Sequence, residues 1–190
     1  MPNQSDTNKS PFIIKESQIV WSCPWYHIRQ DQLILPDGSE ATYNVASRPK
    51  GAAFVIPVLT TGEIVLIQHY RHTVGEWVWE VPAGGVSEDH TPQEAATAEL
   101  KEEVGGTTQD IQYLGHFFTA VGFCDEICHI FLATNVTLGE TEREPLEFMH
   151  MVPTSPSQAF EMARNGEMKD ALSALALLWA EPHLSAKSIY

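Results

Sequence analysis

Glu99, Glu102 and Glu103 fall within five residues of one another, and Ala96, Leu100 and Val104 recur beside them at four-residue spacing. On a helix, positions i, i+3 and i+4 share a face, so the carboxylates gather on one side and the apolar residues form a stripe on another. Like charges so placed repel by about 0.2–0.5 kcal/mol per pair, so helix stability does not account for them. One reading is a plain solvated acidic face. The other comes from the preceding Pro82-Ala83-Gly84-Gly85, whose backbone carbonyls, brought close to the helix, complete an oxygen-rich cage. Hard divalent cations take such ligands, and magnesium keeps waters and substrate phosphates in its remaining positions.

The charge balance bears on the same region. The 190 residues carry 11 Lys+Arg against 25 Asp+Glu, a net −14 that disfavours nucleic acid and anionic membrane surfaces as partners. Residues 76–103 hold eight acidic side chains and one basic one, Lys101, so half of the excess lies in that stretch. A pyrophosphate cannot be held there by side-chain cations alone, whereas two or three magnesium ions would neutralise ligand and carboxylates together.

The elements that must position these residues read as follows. A polar tail at 1–10 precedes a small β unit at 11–46, with strands at 13–21, 25–35 and 41–45 and a turn at Pro36-Asp37-Gly38. Buried strands follow at 52–59 and 64–70, then a strand at 77–81 stopped by the Pro82 to Gly85 loop. The clearest helix starts at Thr91-Pro92-Gln93-Glu94, a hydroxyl cap with proline at the first position and Glu three residues on, and stops at Gly105-Gly106. Strands at 111–119 and 126–134, an acidic loop at 139–147, a strand from near Phe148 to 152 and helices at 157–164 and 168–179 complete the chain. With 43% hydrophobic residues it can bury a core for one domain and an appended unit. No apolar run approaches the ~20 residues that span a bilayer, and the start lacks an apolar signal core, so a cytoplasmic protein is expected. Cys23, Cys124 and Cys128 show no zinc-site spacing and read as reduced core residues. The eight histidines show no ligand spacing, and His69 and His72 read as surface.

The run Gly84 to Gly106 resembles the signature of the Nudix hydrolases, a glycine, five residues, Glu, seven residues, then Arg-Glu-apolar-x-Glu-Glu-x-Gly. Gly84, Glu99, Leu100, Glu102, Glu103 and Gly105 fall in register with it. Around it, 48–170 resembles the ADP-ribose pyrophosphatase branch, through Gln68-His69-Tyr70-Arg71, Glu80-Val81-Pro82-Ala83-Gly84, Gly122-Phe123-Cys124-Asp125-Glu126 and Gly166-Glu167-Met168-Lys169-Asp170. The resemblance implies an α+β Nudix fold at 47–190, a mixed sheet sandwiched between helices, with 11–46 as a small antiparallel unit that forms a homodimer. Two positions depart: His90 stands where the family has Glu, and Ala98 where it has Arg. Losing oppositely charged members of a network together can be nearly neutral, so the two changes read as compensating.

The resemblance further implies hydrolysis of a nucleoside diphosphate derivative, ADP-ribose to AMP and ribose 5-phosphate above all, by attack of a metal-activated water, with Mg2+ as cofactor and Mn2+ as a substitute. Glu99 and Glu103 match the principal ligands, Glu102 a further ligand or a group behind them, and the Ala83 carbonyl a backbone ligand. The general base or last ligand falls on the acidic loop, with Glu147 the first choice and Glu144 the second; a merely solvated loop is the alternative for each. Arg71 matches a phosphate contact, or is a strand-end surface arginine. Glu80 and Glu126 flank the cleft in the family, and Arg48, which opens the matching stretch, counts with them among the substrate-binding residues. Trp25 and Tyr26 have faces that suit an adenine from the dimer partner, although core packing is the stronger reading for both. The rival to an enzyme is a non-catalytic module that keeps the fold and senses a nucleotide; another nucleoside diphosphate sugar as substrate is a third reading.

Overall fold

The computed structural model describes residues 9–48 and 50–185, so all but the last two residues of the expected tail lie outside it. The chain divides into two compact units. The first contains β1 (Ile13–Ser22), β2 (His27–Ile34) and β3 (Glu40–Ser47), an antiparallel sheet in the order β1-β2-β3. Gly38, at φ 85°, closes the β2–β3 connection, with Leu35 N donating to Ser39 O at 2.8 Å. Phe118–Glu126 groups with these strands rather than with its sequence neighbours. Asp125 explains why: its carboxylate accepts from Arg29 Nη1 at 3.0 Å, Ser47 Oγ at 2.8 Å and the Arg48 amide at 3.2 Å.

The second unit is built on β4 (Ala52–Leu59), β5 (Ile64–Arg71), β6 (Glu76–Glu80), β7 (Ala83–Gly85), β8 (Gly106–Thr107), β9 (Asp110–Phe118), β10 (Ile127–Leu138) and β11 (Met149–Thr154), with helices α1 (Pro92–Val104), α2 (Pro156–Asn165) and α3 (Ala171–Ser185). The sheet runs β11-β5-β4-β10-β8, with β6 on β5, β7 on β4 and β9 on β10; β4 and β10 are parallel. Alternate residues of a strand face opposite sides, and β4 uses this fully. Ala53 and Val55 pack with Ala96, Leu100 and Val104 of α1, while Phe54 and Ile56 pack with Phe160 of α2 and Leu177 of α3. The sheet is therefore sandwiched between helices, and the architecture is the α+β one expected.

The capping box of α1 is formed: Thr91 Oγ1 accepts from the Glu94 amide, and the Glu94 carboxylate accepts from the Thr91 amide at 2.8 Å. Gly105, left-handed at φ 66°, ends the helix. Several expected boundaries differ. Ala83-Gly84-Gly85 forms a short strand rather than a loop, and β10 continues four residues beyond the expected end. The last helix begins at Ala171, because Asp170 accepts from the Ser173 amide at 2.8 Å and so acts as its cap, and it runs on to Ser185. Trp25 is 70% exposed and Tyr26 is also exposed, which corrects the core reading of both. No disulfide joins Cys23, Cys124 and Cys128, and only Cys128 is buried, so Cys23 and Cys124 are not core residues.

Candidate active site

The site grows from the pairing of β7 with β4. Ala52, Ala53 and Phe54 pair with Gly85, Gly84 and Ala83, and Val55 N donates to Pro82 O at 3.0 Å. The Ala83 to Gly85 backbone is thus fixed to the central strand. Across from it, Glu99 lies where a side chain at Gly84 would be: a Cβ there would stand 1.8 Å from Glu99 Oε1. Glu103 is 2% exposed, and its Oε2 accepts from the Ala83 amide at 3.0 Å. Burial pushes the Glu103 carboxyl well above the usual range, and the charges of Glu99 and Glu147 push it the same way. The Ala83 hydrogen bond and Arg71 oppose them without prevailing.

Arg71, at the end of β5, is held flat against Glu80 of β6, with Nε to Oε1 at 2.8 Å and Nη2 to Oε2 at 2.6 Å. His69 Nδ1 lies 3.5 Å from the same Oε2, and the ring is buried, which corrects its reading as surface. Burial pushes the Glu80 carboxyl up, but His69 and Arg71 outweigh it and hold the group below the usual glutamate range. Burial likewise disfavours charge on Arg71, and Glu80, Glu103 and Asp170 more than restore it. Beside this pair is a cavity of about 290 Å³ lined by Val74, Glu76, Val78, Glu80, Lys169 and Asp170.

The acidic loop is tied to the end of α1. Glu142 N donates to Glu102 O at 2.9 Å, and Gly139 N to Gly105 O at 2.7 Å. Arg143 donates to Glu103 O and to Met149 O, each at 2.9 Å. Glu147 Oε2 accepts from the Glu144 amide at 2.8 Å, and the Glu144 side chain is exposed. The Lys101–Glu142 ion pair, at 2.7 Å, is more than half exposed on both sides and adds little.

The expected residues therefore divide. Glu103 bonds to the Ala83 amide and Glu99 is seated against Gly84, while Glu99, Glu147 and Arg71 act on Glu103 through their charges. Glu102 is half-buried on the same helix and tied to the loop through its backbone. Arg48 and Glu126 belong to the first unit, where Arg48 Nη1 pairs with Glu126 Oε1 at 3.2 Å. His90 shares a 2.9 Å hydrogen bond with Ser87 just before the α1 cap residue Thr91. Two contributors were missed. His69 reads from its strand-end position in the sequence as a surface residue. Arg143 was not singled out, although it is the one arginine of the acidic loop, a usable signal for a charge that ties that loop down.

Among the described residues, no three His, Cys, Asp or Glu side chains converge on one point. The structure instead places carboxylates beside a backbone cradle, one of them buried against its preference. Hard oxygen donors gathered beside a backbone carbonyl fit a magnesium ion, which draws its other ligands from water and phosphate.

A NUDIX domain family model matches residues 48–170. The chain is 30% identical over 149 residues to the ADP-ribose pyrophosphatase of Bacillus subtilis, covering 77% of this chain and 80% of that protein. It is 36% identical over 112 residues to the ADP-ribose pyrophosphatase of Mycobacterium tuberculosis, covering 58% and 54%. A solved crystal structure of an ADP compounds hydrolase shares the fold with a TM-score of 0.82 at 18% identity, covering 94% of this chain and 96% of that one.

Proposed function

The chain belongs to the NUDIX family, and on that footing we propose that this Nudix hydrolase cleaves the pyrophosphate linkage of ADP-ribose, releasing AMP and ribose 5-phosphate, with Mg2+ held on the carboxylate face of α1. The observation that carries the reading is the seating of Glu99 and Glu103 against the Ala83-Gly84 backbone. ADP-ribose is preferred because two relatives carry that activity in their names.

Glu99, Glu103 and the Ala83 carbonyl are the groups that would hold the ion, with Glu102 beside them. When bound, Mg2+, or Mn2+ in its place, polarises phosphoryl oxygens and lowers the pKa of a ligated water. Arg71 presents a guanidinium whose Nε and Nη2 are fixed by Glu80, which leaves Nη1 to meet a phosphate oxygen. Glu147, on the loop tied to α1, accepts the proton of the attacking water, whose oxygen bonds to phosphorus as the bridging P–O bond breaks.

We assign the first unit to dimerisation. β1 is exposed along all ten residues, with Ile13, Ile14, Ile19 and Trp21 each at least half exposed, and apolar area of that kind usually meets a partner. Light scattering should return a dimer, and a monomer would contradict this part of the proposal. A cytoplasmic setting is supported by three cysteines that no disulfide joins.

The test is incubation with ADP-ribose and Mg2+, followed by separation of nucleotides. AMP and ribose 5-phosphate should appear, stop on chelation and return with Mg2+. Tight binding without product would favour the sensor reading, for which Ala98 in place of the family arginine is the supporting observation. Faster turnover of another nucleoside diphosphate sugar would keep the reaction and replace the substrate.

A further inference from the structure

A second group of donors lies on neighbouring strands of the sheet. Tyr113 and His116 are on β9 and His129 is on β10, and Tyr113 Oη stands 3.2 Å from Nδ1 of each histidine. The imidazole centroids are 6.0 Å apart. Residues three apart on a regular strand face opposite sides, so Tyr113 and His116 meet only because the chain departs from regularity between them. Gly115 supplies the departure at φ 147°, and Trp179 of α3 lies 2.9 Å from where its Cβ would be, so only glycine fits there. Tyr113 is held further by its ring, which packs against Phe131 at 5.2 Å.

From this arrangement we propose a transition-metal site, formed by Nδ1 of His116, Nδ1 of His129 and the Tyr113 hydroxyl, that takes a borderline divalent ion such as Cu2+ or Zn2+. At metal–nitrogen bonds of about 2.0–2.1 Å, neighbouring donors of one ion lie roughly 3.0–3.4 Å apart and two ligating imidazole centroids roughly 5–6.5 Å apart. Both Oη···Nδ1 edges and the centroid separation fall within those ranges before any ion is added. The Tyr113 hydroxyl bridges the two rings through the same Nδ1 atoms that the site would use. Nitrogen donors separate this site from the oxygen cradle of α1: Mg2+ has little use for imidazole, and Cu2+ heads the affinity order for it.

The test uses the full chain, stripped of metal and held in excess Mg2+ so that the carboxylates are not the acceptor, with one equivalent of Cu2+ added. Electron paramagnetic resonance should show coupling to two directly bound nitrogens. His116→Gln and His129→Gln should each lose one nitrogen and weaken Cu2+ binding roughly 100-fold. Tyr113→Phe should keep both nitrogens with weaker binding, and His183→Gln should change nothing. Circular dichroism confirms that each variant is folded. A spectrum without bound nitrogen, or one unchanged by both His116→Gln and His129→Gln, or equally changed by His183→Gln, overturns the proposal.

Discussion

The Ala83 amide donates to Glu103 Oε2 across 3.0 Å, so a buried carboxylate is held by the same backbone whose carbonyl is proposed to share its ion. Burial and neighbouring charge both disfavour the ionised form of Glu103. Glutamine at this position keeps an oxygen for the Ala83 amide and removes the charge. Glu103→Gln should therefore raise the melting temperature in chelator by about 2 °C or more, at roughly 2–4 °C per kcal/mol for a chain of this size. ADP-ribose hydrolysis should fall by about two to four orders of magnitude. A variant that is both less stable and still active would remove Glu103 from its assigned role.

Gly84 offers a different separation of stability from activity. A Cβ there would displace the end of the Glu99 side chain, which can swing aside without disturbing the core. Gly84→Ala should cost about 1 kcal/mol or less in stability, yet lower kcat about 100-fold, since a shift near 1 Å in a positioning group has that effect. Thermal melts and initial rates on one preparation decide it; equal loss of both would point to general damage.

The Arg71–Glu80 pair gives a pH signature. Glu80 ionises below its usual value near 4.5 when folded, so its pairing contributes stability that is complete above that value and fades as pH falls through the folded one. Arg71→Ala should cost about 1–2 kcal/mol at pH 7, a buried-pair figure reduced because the arginine is 43% exposed. The difference from wild type should shrink toward acid pH, where Glu80 is protonated in both proteins. Denaturant melts across that range would show it, and a pH-independent difference would mean that packing of the arginine stem, and not charge, is what matters.

The acidic loop allows two glutamates to be told apart. Glu147 acts on Glu103 electrostatically, whereas the Glu144 side chain is exposed and Glu144 meets Glu147 through its backbone, its amide donating to Glu147 Oε2 and its carbonyl accepting from Glu147 N. Glu147→Gln should reduce kcat about 100-fold or more while leaving KM nearly unchanged, and Glu144→Gln should retain most turnover. Reversed rankings would move the base to Glu144.

Which features were legible follows from how local their causes are. The α1 cap at Thr91 and stop at Gly105 depend on residues within one turn, so the helix was read to within a residue. Ala83 to Gly85 looked like a loop because three residues with two glycines carry no strand periodicity; their partner, β4, lies some thirty residues upstream. His69 looked like surface because strand ends usually are. It is buried because β6 and β11 both pair with β5, leaving its ring beside Glu80. The grouping of Phe118–Glu126 with the N-terminal strands depends on Asp125 meeting Arg29, Ser47 and Arg48, contacts that no local pattern announces. Carboxylate spacing marked the helix face; the seating of Glu99 against Gly84 needed coordinates.

Arg143 binds the carbonyl at the end of α1 and the carbonyl that opens β11, so the five residues between Arg143 and Met149 form a closed ring on a fixed base. Glu147 is carried on that ring like a tool on a short arm. The arm's reach is set by the number of links, which makes loop length an inheritable dimension: one residue added after Glu144 would re-aim the carboxylate while the glutamates on α1 stayed in place. A lineage diversifying toward bulkier substrates has there a dial that turns without touching the cradle.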